Sequence, residues 1–195
     1  MKNIRSNIIA AGILCLSLGM TSCTKGFLDV ESKTESTTGN FYKTEQDAYR
    51  ALLGCYDGYR CATCGSAVNF LVSAEVMGYE CFGGSGASDG NGMRVTDRFD
   101  LSEMPSSTGS NWSGYYAGIY RCNELITREN SIQWNETGSM HTQYMAECHA
   151  IRAFLYFDVV RQFGNIPLLT KPTDENIPQA DPADVYKLIF DDLKF

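Results

Sequence analysis

The segment 93–116 combines aromatic rings with charged and amide side chains. Five of these side chains suit a sugar ligand: Arg94, Asp97, Asn111, Trp112 and Tyr115. Sugar rings present weakly polar C–H faces that stack on Trp or Tyr, and their hydroxyl groups need Asp, Asn or Arg partners at the rim. The segment therefore predicts an oligosaccharide-binding site. Trp112 also fits the apolar stripe of a helix and Arg94 an ordinary surface position, so these alternatives remain open.

A second possible chemistry lies in Cys61 and Cys64, which two residues separate. This spacing is typical of a redox pair or of half a zinc site. A catalytic pair needs its first cysteine at the N-terminus of a helix, whereas Cys61 follows the end of the first predicted helix. A thiol oxidoreductase is thus a minor alternative. A structural disulfide among Cys61, Cys64 and Cys81 stays open, because an exported protein meets an oxidising environment.

The remaining cysteines and the two histidines do not indicate catalysis. Cys55, Cys122 and Cys148 fall on apolar stripes and are expected to behave as small buried hydrophobes. His141 and His149 are about 12 Å apart along one predicted helix, at about 1.5 Å per residue, which is too far to share one metal ion. We therefore expect no catalytic residue, no metal site and no cofactor.

Four amphipathic helices are predicted to position these residues. The first starts at the capping pair Thr44 and Asp47, and the second and third span about 111–128 and 140–163. The fourth opens at Asp181, with Pro182 in its first turn. Apolar residues recur three and four positions apart in all of them, which is typical of a helix with one buried face. The inward-facing residues include Ala48, Ala51, Leu52, Cys55, Tyr56, Tyr59, Trp112, Tyr115, Tyr116, Ile119, Cys122, Ile126, Tyr144, Cys148, Ile151, Leu155, Val159, Val185, Leu188, Ile189 and Leu193.

The segments between the helices carry few strand signals. Only the apolar run 70–76 resembles a strand, and 165–172 is predicted to be an extended link because proline disfavours helix in the preceding residue. The glycine-rich segment 82–92 is expected to be a flexible loop with no obvious helix after it. The pattern predicts a mainly α fold built from paired helices with long irregular loops.

The first residues resemble an export signal. Lys2 and Arg5 precede an apolar run, 8–20, that is shorter than the roughly 20 residues a membrane-spanning helix needs. Small residues then precede Cys23, as in the lipobox that bacterial signal peptidase cleaves before the cysteine is lipidated. We expect a signal peptide at 1–22, a tether at 23–40 lipidated at Cys23, and a helical domain at 41–195.

Composition and charge narrow the function classes. The chain has 195 residues, of which 44% are hydrophobic and 20% charged, and this suits a packed globular domain rather than a disordered chain. Its formal net charge is -7, a sign that repels phosphate backbones. Nucleic acid is therefore not an expected partner.

Four segments taken together resemble the SusD/RagB family, the surface lipoproteins of Bacteroidetes. The segments 27–30 and 40–48 resemble the opening FLD motif and the TExDA helix start of the family. Tyr116 to Leu125 is similar to its YxxIxxxNxLI helix, and 147–167 resembles EARFLRAxxYFxLxxxFGxVP. Their order and spacing follow the family pattern along the chain after Cys23.

The resemblance implies a non-enzymatic protein with tetratricopeptide-like helix pairs. Its expected partners are an oligosaccharide, a SusC-like TonB-dependent outer-membrane transporter that receives the sugar, and the outer membrane through the lipid anchor. A peptide-binding member of the same family is the alternative. Family members are usually more than twice as long, and the chain ends inside its fourth predicted helix, so the resemblance implies the N-terminal portion of a truncated protein.

Overall fold

The computed structural model describes residues 41–64, 70–84, 86, 91–100, 102, 104–135 and 138–195. These residues belong to a unit that begins at Phe41. The predicted signal peptide, the tether and Cys23 lie outside the described residues. Within the described ranges, the chain forms six α-helices and one pair of very short strands, which confirms the prediction of a mainly α fold.

Helix α1 spans Glu45–Cys64 and begins as the capping pair predicted. The backbone N–H of Asp47 donates to Thr44 Oγ1 at 3.2 Å, and the backbone N–H of Thr44 donates to Asp47 Oδ2 at 3.0 Å. These reciprocal bonds satisfy donors that a helix N-terminus otherwise leaves free. Ala48, Leu52 and Cys55 are buried as expected.

Helix α2, Phe70–Met77, corrects the predicted strand. A short, continuously apolar run shows neither the periodicity of a helix nor that of a strand, so its sequence cannot distinguish a strand from a buried helix. Ser73 and Val76, three positions apart, are its buried residues, which is helical spacing. A further helix that the sequence did not predict, α3, spans Asn91–Asp97 and includes the last two residues of the glycine-rich segment 82–92.

Helix α4 spans Met104–Arg128, so it starts seven residues earlier than the sequence predicted. It packs closely on α1 where two glycines meet. A Cβ atom added to Gly58 would lie 2.9 Å from the Cα atom of Gly118, and only residues without side chains allow this approach. A 3₁₀ turn, Glu129–Ser131, follows α4.

Helix α5 spans Ser139–Phe163 and ends at Gly164, as predicted. Gly164 has a φ of 72°, a left-handed conformation that favours glycine, and its N–H donates to the carbonyl of Val160 at 2.9 Å. The extended link then contributes β1, Ile166–Pro167, which pairs antiparallel with β2, Gln179–Ala180.

Helix α6 spans Pro182–Asp192, and Asp181 caps it as predicted. The Oδ1 atom of Asp181 accepts a hydrogen bond from the backbone N–H of Ala183 at 2.8 Å. Val185 and Ile189 point inward, whereas Leu193, also predicted to be buried, is 55% exposed. It lies just beyond the last residue of α6, where the helical face no longer continues.

Two further residues differ from the predicted faces. Tyr56, predicted to face inward, is 46% exposed, and its hydroxyl donates to Glu147 Oε2 at 3.0 Å at the surface. Glu124, which is not on the predicted inward face of α4, is nevertheless only 7% exposed and accepts from Arg128 Nε at 2.7 Å. The paired charge makes this burial tolerable.

The core lies where α1, α4, α5 and α6 pack against one another. Its largest fully buried side chains include Tyr115, Ile119, Leu125, Met145, Leu155 and Tyr156. The hydroxyl of Tyr156 donates to the carbonyl of Leu169 at 2.7 Å, which fixes the link between α5 and α6 on the core. None of the described helices has the length and apolar character needed to span a bilayer.

Candidate functional site

The five predicted sugar-binding residues lie on two neighbouring helices. Arg94 and Asp97 are on α3, and Asn111, Trp112 and Tyr115 are on the first half of α4. The two helices contact each other.

Arg94 and Asp97 are partly buried at the outer side of this pair of helices. Gly83 packs on α3 beside them, because a Cβ atom added to Gly83 would clash with the carbonyl oxygen of Met93 and lie 2.6 Å from the Cβ of Asp97. The glycine therefore lets the chain lie directly on the helix that carries both predicted side chains.

Asn111 and Tyr115 lie in the interior. Tyr115 is 0% exposed and its hydroxyl donates to Asp158 Oδ2 at 3.2 Å. Burial and the neighbouring carboxylate raise the pKa of Tyr115, so it stays a neutral donor. Asn111 is 1% exposed, and neither its Oδ1 nor its Nδ2 has a hydrogen-bond partner. Both side chains are therefore buried in the described structure, and their contact with a ligand stays a prediction.

Trp112 is partly buried in an aromatic cluster. Its ring centroid is 4.7 Å from that of Tyr116 and 5.0 Å from that of Phe163, and the second pair meets edge to face at 82°. The hydroxyl of Tyr116 donates to the carbonyl of Pro167 at 2.8 Å, which anchors the cluster to β1. The ring packs on the core, which is one of the two alternatives, and it also contacts Phe163; contact of Trp112 with a ligand stays a prediction.

Phe163 borders a cleft between α2 and the C-terminal end of α5, which we call the α2–α5 cleft. Its volume is about 370 Å³. The described residues that line it are Phe70, Ser73, Ala74, Met77, Arg161, Gln162 and Phe163. Ring faces and a thioether form one part of the lining, and hydroxyl, amide and guanidinium groups form the other.

Two polar atoms in this lining are buried without a hydrogen-bond partner, Ser73 Oγ and Gln162 Oε1. A buried polar atom that makes no bond carries a desolvation cost of about 1–3 kcal/mol. A ligand hydroxyl that donates to these oxygens would remove that cost. The residues that line the cleft thus combine polar groups with apolar rings, which is the type of lining that suits a sugar.

Arg161 is the charged residue among the described lining residues, and its positive charge is paired with the carboxylate of Asp158. Its Nη2 donates to Asp158 Oδ1 at 2.8 Å. The guanidinium carbon lies 4.8 Å from the ring centroid of Phe70 and 4.0 Å from that of Phe157. These contacts fix the guanidinium group of Arg161 in the lining of the α2–α5 cleft. A guanidinium group is planar, so a ring can stack on it.

The sequence pattern does not predict the cleft or the contact of Trp112 with Phe163. Because the run 70–76 resembles a strand, its pattern does not place Phe70 and Ser73 on one helical face. Gln162 and Phe163 lie in the segment that carries the family resemblance, and its FGxVP ending was the available signal. Nothing in the local pattern indicated that these two elements meet.

The cysteine alternative gains no support from the geometry. Cys61 and Cys64 lie in the last turn of α1, whereas a helix stabilises a thiolate at its N-terminus. Cys61, Cys64 and Cys81 are free thiols, so the structure does not form the disulfide considered among them.

A protein family described as starch-binding and associating with the outer membrane matches residues 87–195. A SusD-like protein of Formosa agariphila is 27% identical over 201 residues, covering 100% of this chain and 37% of that protein. The chain therefore spans about a third of the length of the curated relatives that it matches.

Solved structures give the same assignment. A laminarin-binding SusD-like protein is 36% identical with a TM-score of 0.66, covering 78% of this chain and 33% of that one. A SusD homologue of Bacteroides thetaiotaomicron is 27% identical with a TM-score of 0.60, covering 84% and 32%. The match confirms tetratricopeptide-like helix pairs. The chain belongs to the SusD-like family, whose members are described as starch-binding and associated with the outer membrane.

Proposed function

We propose that this protein is a non-enzymatic, lipid-anchored surface protein that binds a neutral oligosaccharide and passes it to a TonB-dependent transporter. The observation that carries the binding step is the α2–α5 cleft, whose lining includes aromatic rings and two residues with unpartnered buried oxygens. Family membership and the likeness to a laminarin-binding protein support a glycan as the ligand.

The chemistry of the cleft fits a neutral sugar. Phe163 and Phe70 offer ring faces for the C–H side of a sugar, and Ser73 Oγ and Gln162 Oε1 accept from its hydroxyl groups. Because Arg161 already pairs with Asp158, the described lining holds no unmatched charge that an acidic sugar would need. A neutral glucan such as laminarin or starch is therefore the proposed class.

The five residues predicted from the sequence have different roles in this proposal. Trp112 positions Phe163 at the cleft through its edge-to-face contact. Asn111 and Tyr115 support the aromatic cluster from the interior, and Arg94 and Asp97 form the polar rim on α3. Each role is part of the proposal and each can be tested by substitution.

The location and the partner rest on the first residues and on the family. We propose a signal peptide at 1–22, a lipidated tether at 23–40 and a helical domain from 41. Lipid chains on Cys23 would hold the domain at the outer membrane, at about 0.8 kcal/mol per buried methylene. Incorporation of labelled palmitate that is lost in Cys23→Ala tests the anchor, and co-purification with a transporter barrel from detergent-solubilised outer membranes tests the hand-off.

Affinity electrophoresis in gels that contain laminarin, starch or an acidic polysaccharide tests the binding step. The variant Ser73→Ala with Gln162→Leu removes both acceptors, and Ser113→Ala with Gln143→Leu makes the same changes at exposed positions on α4 and α5. Two lost hydrogen bonds of about 1 kcal/mol each weaken binding by roughly tenfold or more.

We expect the neutral glucans to retard the wild-type chain and the surface control equally, and to retard the cleft variant much less. Retardation by the acidic polysaccharide alone would contradict the proposed class. Heat released by a peptide pool but by no glycan in isothermal titration would favour the peptide-binding alternative instead.

A further inference from the structure

Three cysteines from three different helices meet in the core, far along the chain from one another. Cys55 lies on α1, Cys122 on α4 and Cys148 on α5. All three are 0% exposed, and all are free thiols. Their Sγ atoms lie within 4.8 Å of one another, and those of Cys55 and Cys148 are 3.9 Å apart. We call this group the sulfur trio.

The thiols of the sulfur trio contact one another rather than other polar side chains. Besides the contact between Cys55 and Cys148, the Sγ atom of Cys148 donates to the carbonyl of Cys122 at 3.6 Å. The three thiols therefore form one connected group in the core.

The spacing of the sulfur atoms fits a single three-coordinate ion. Metal–sulfur bonds of about 2.3 Å directed to the corners of a triangle separate the sulfur atoms by about 4.0 Å. The observed separations require shifts of less than an ångström in side chains that already converge. A disulfide between Cys55 and Cys148 would instead need the sulfur atoms to approach to about 2.05 Å.

The number and type of ligands select the ion. Structural zinc sites are closed by four ligands, and the group found among the described residues contains three cysteines without a histidine or carboxylate. Thiolates are soft ligands that favour Cu(I).

We propose that Cys55, Cys122 and Cys148 form a buried Cu(I) site in the core of the helix bundle. Each thiol that becomes a thiolate ligand releases one proton, and the copper ion keeps its oxidation state, so no oxidant or reductant takes part. Because the trio is buried, the ion enters while the packing of α1, α4 and α5 is open, during folding or local unfolding. The site is separate from the α2–α5 cleft and does not depend on the proposed sugar binding.

Refolding of the full chain in the presence of Cu(I), buffered by the chelator bathocuproine disulfonate, tests the site. The protein is then desalted, its copper content is measured, and X-ray absorption at the copper edge counts the sulfur neighbours. We expect one copper ion per chain with three sulfur ligands, and a higher melting temperature than for the copper-free protein.

Matched variants distinguish the trio from other thiols. Cys148→Ala removes one ligand and keeps a small apolar side chain, while Cys64→Ser changes an exposed cysteine. Copper should be retained by Cys64→Ser and largely lost by Cys148→Ala, whose helix content by circular dichroism should match the wild type. If Cys148→Ala fails to fold, Cys122→Ala serves as the second variant.

Several outcomes would overturn the proposal. The first three are a chain that retains no copper after refolding, equal retention in Cys148→Ala, and a peptide map of the purified protein in which Cys55 and Cys148 are joined by a disulfide. Loss of copper from Cys64→Ser alone would place the ion at the end of α1 instead and would also overturn it.

Discussion

The guanidinium group of Arg152 donates two hydrogen bonds to the carboxylate of Asp192, from Nε to Oδ2 at 2.8 Å and from Nη2 to Oδ1 at 2.6 Å. Arg152 is 4% exposed and Asp192 is 5% exposed. The remaining nitrogen of Arg152, Nη1, donates to Asn123 Oδ1 at 2.7 Å. One side chain on α5 therefore ties α4 to α6, and the paired geometry offsets the cost of burying both charges.

Replacement of Asp192 by Asn should destabilise the fold strongly. The amide leaves the charge of Arg152 buried without its partner, which costs about 3–5 kcal/mol in comparable buried pairs. Urea unfolding followed by circular dichroism measures the loss. Asp191→Asn, the same change at the exposed neighbouring residue, should alter the free energy of unfolding by less than about 0.5 kcal/mol. Equal effects of the two variants would contradict the role of the pair.

The pair of Arg152 and Asp192 also predicts that the stability of the fold depends on pH. Burial opposes the charge of Asp192, but hydrogen bonds from Arg152 and His149 outweigh it and lower the pKa below the ordinary value of 3.8. A carboxyl group with a lowered pKa stabilises the fold fully above its unfolded pKa, and this stability is lost as the pH falls towards the folded pKa.

The wild type and Asp192→Asn should therefore differ in their free energy of unfolding by a constant amount near neutral pH. This difference should become smaller below about pH 4. Urea unfolding of both proteins at a series of pH values measures it. A difference that already narrows near pH 6, or one that stays unchanged through the acid range, would contradict this assignment to Asp192.

The close approach of α1 and α4 predicts opposite effects for two glycines of the same helix. A Cβ atom on Gly58 meets the Cα of Gly118 at 2.9 Å, so Gly58→Ala should force the helices apart at a cost of about 1–3 kcal/mol. No atom lies within 4 Å of a Cβ added to Gly54, so Gly54→Ala should stabilise α1 by about 0.5–1 kcal/mol. Thermal and urea unfolding of both variants compare them, and stabilisation by Gly58→Ala would refute the tight crossing.

Local signals explain the elements that the sequence predicted well. The Thr44 and Asp47 cap, the Asp181 cap and the Gly164 stop each involve residues within a few positions of one another. Their geometry depends on the backbone of one turn, so residue type and spacing are enough to predict them.

Long-range packing explains what the sequence did not predict. The faces of Tyr56 and Glu124 depend on partners in other turns or helices, and the apolar run 70–76 is too short to distinguish strand from helix. The α2–α5 cleft needs Ser73 and Gln162 to meet across the fold. The sulfur trio likewise contains one cysteine from each of three helices. In its own helix, each cysteine occupies an ordinary apolar position, so the sequence does not indicate that the three meet.

Trp112 supplies the last prediction, because its ring holds Phe163 at the edge of the cleft. Trp112→Phe shortens the ring and weakens this contact, and an aromatic pair is worth about 0.5–1.5 kcal/mol beyond its buried area. If the cleft binds glucan, affinity for laminarin should fall by about two- to tenfold. Trp134→Phe is the matched control, since its ring packs on His141 and Tyr144. Affinity electrophoresis measures binding and thermal unfolding measures stability in both variants. A purely structural role for Trp112 would lower the melting temperature in Trp112→Phe without changing the retardation of the folded protein.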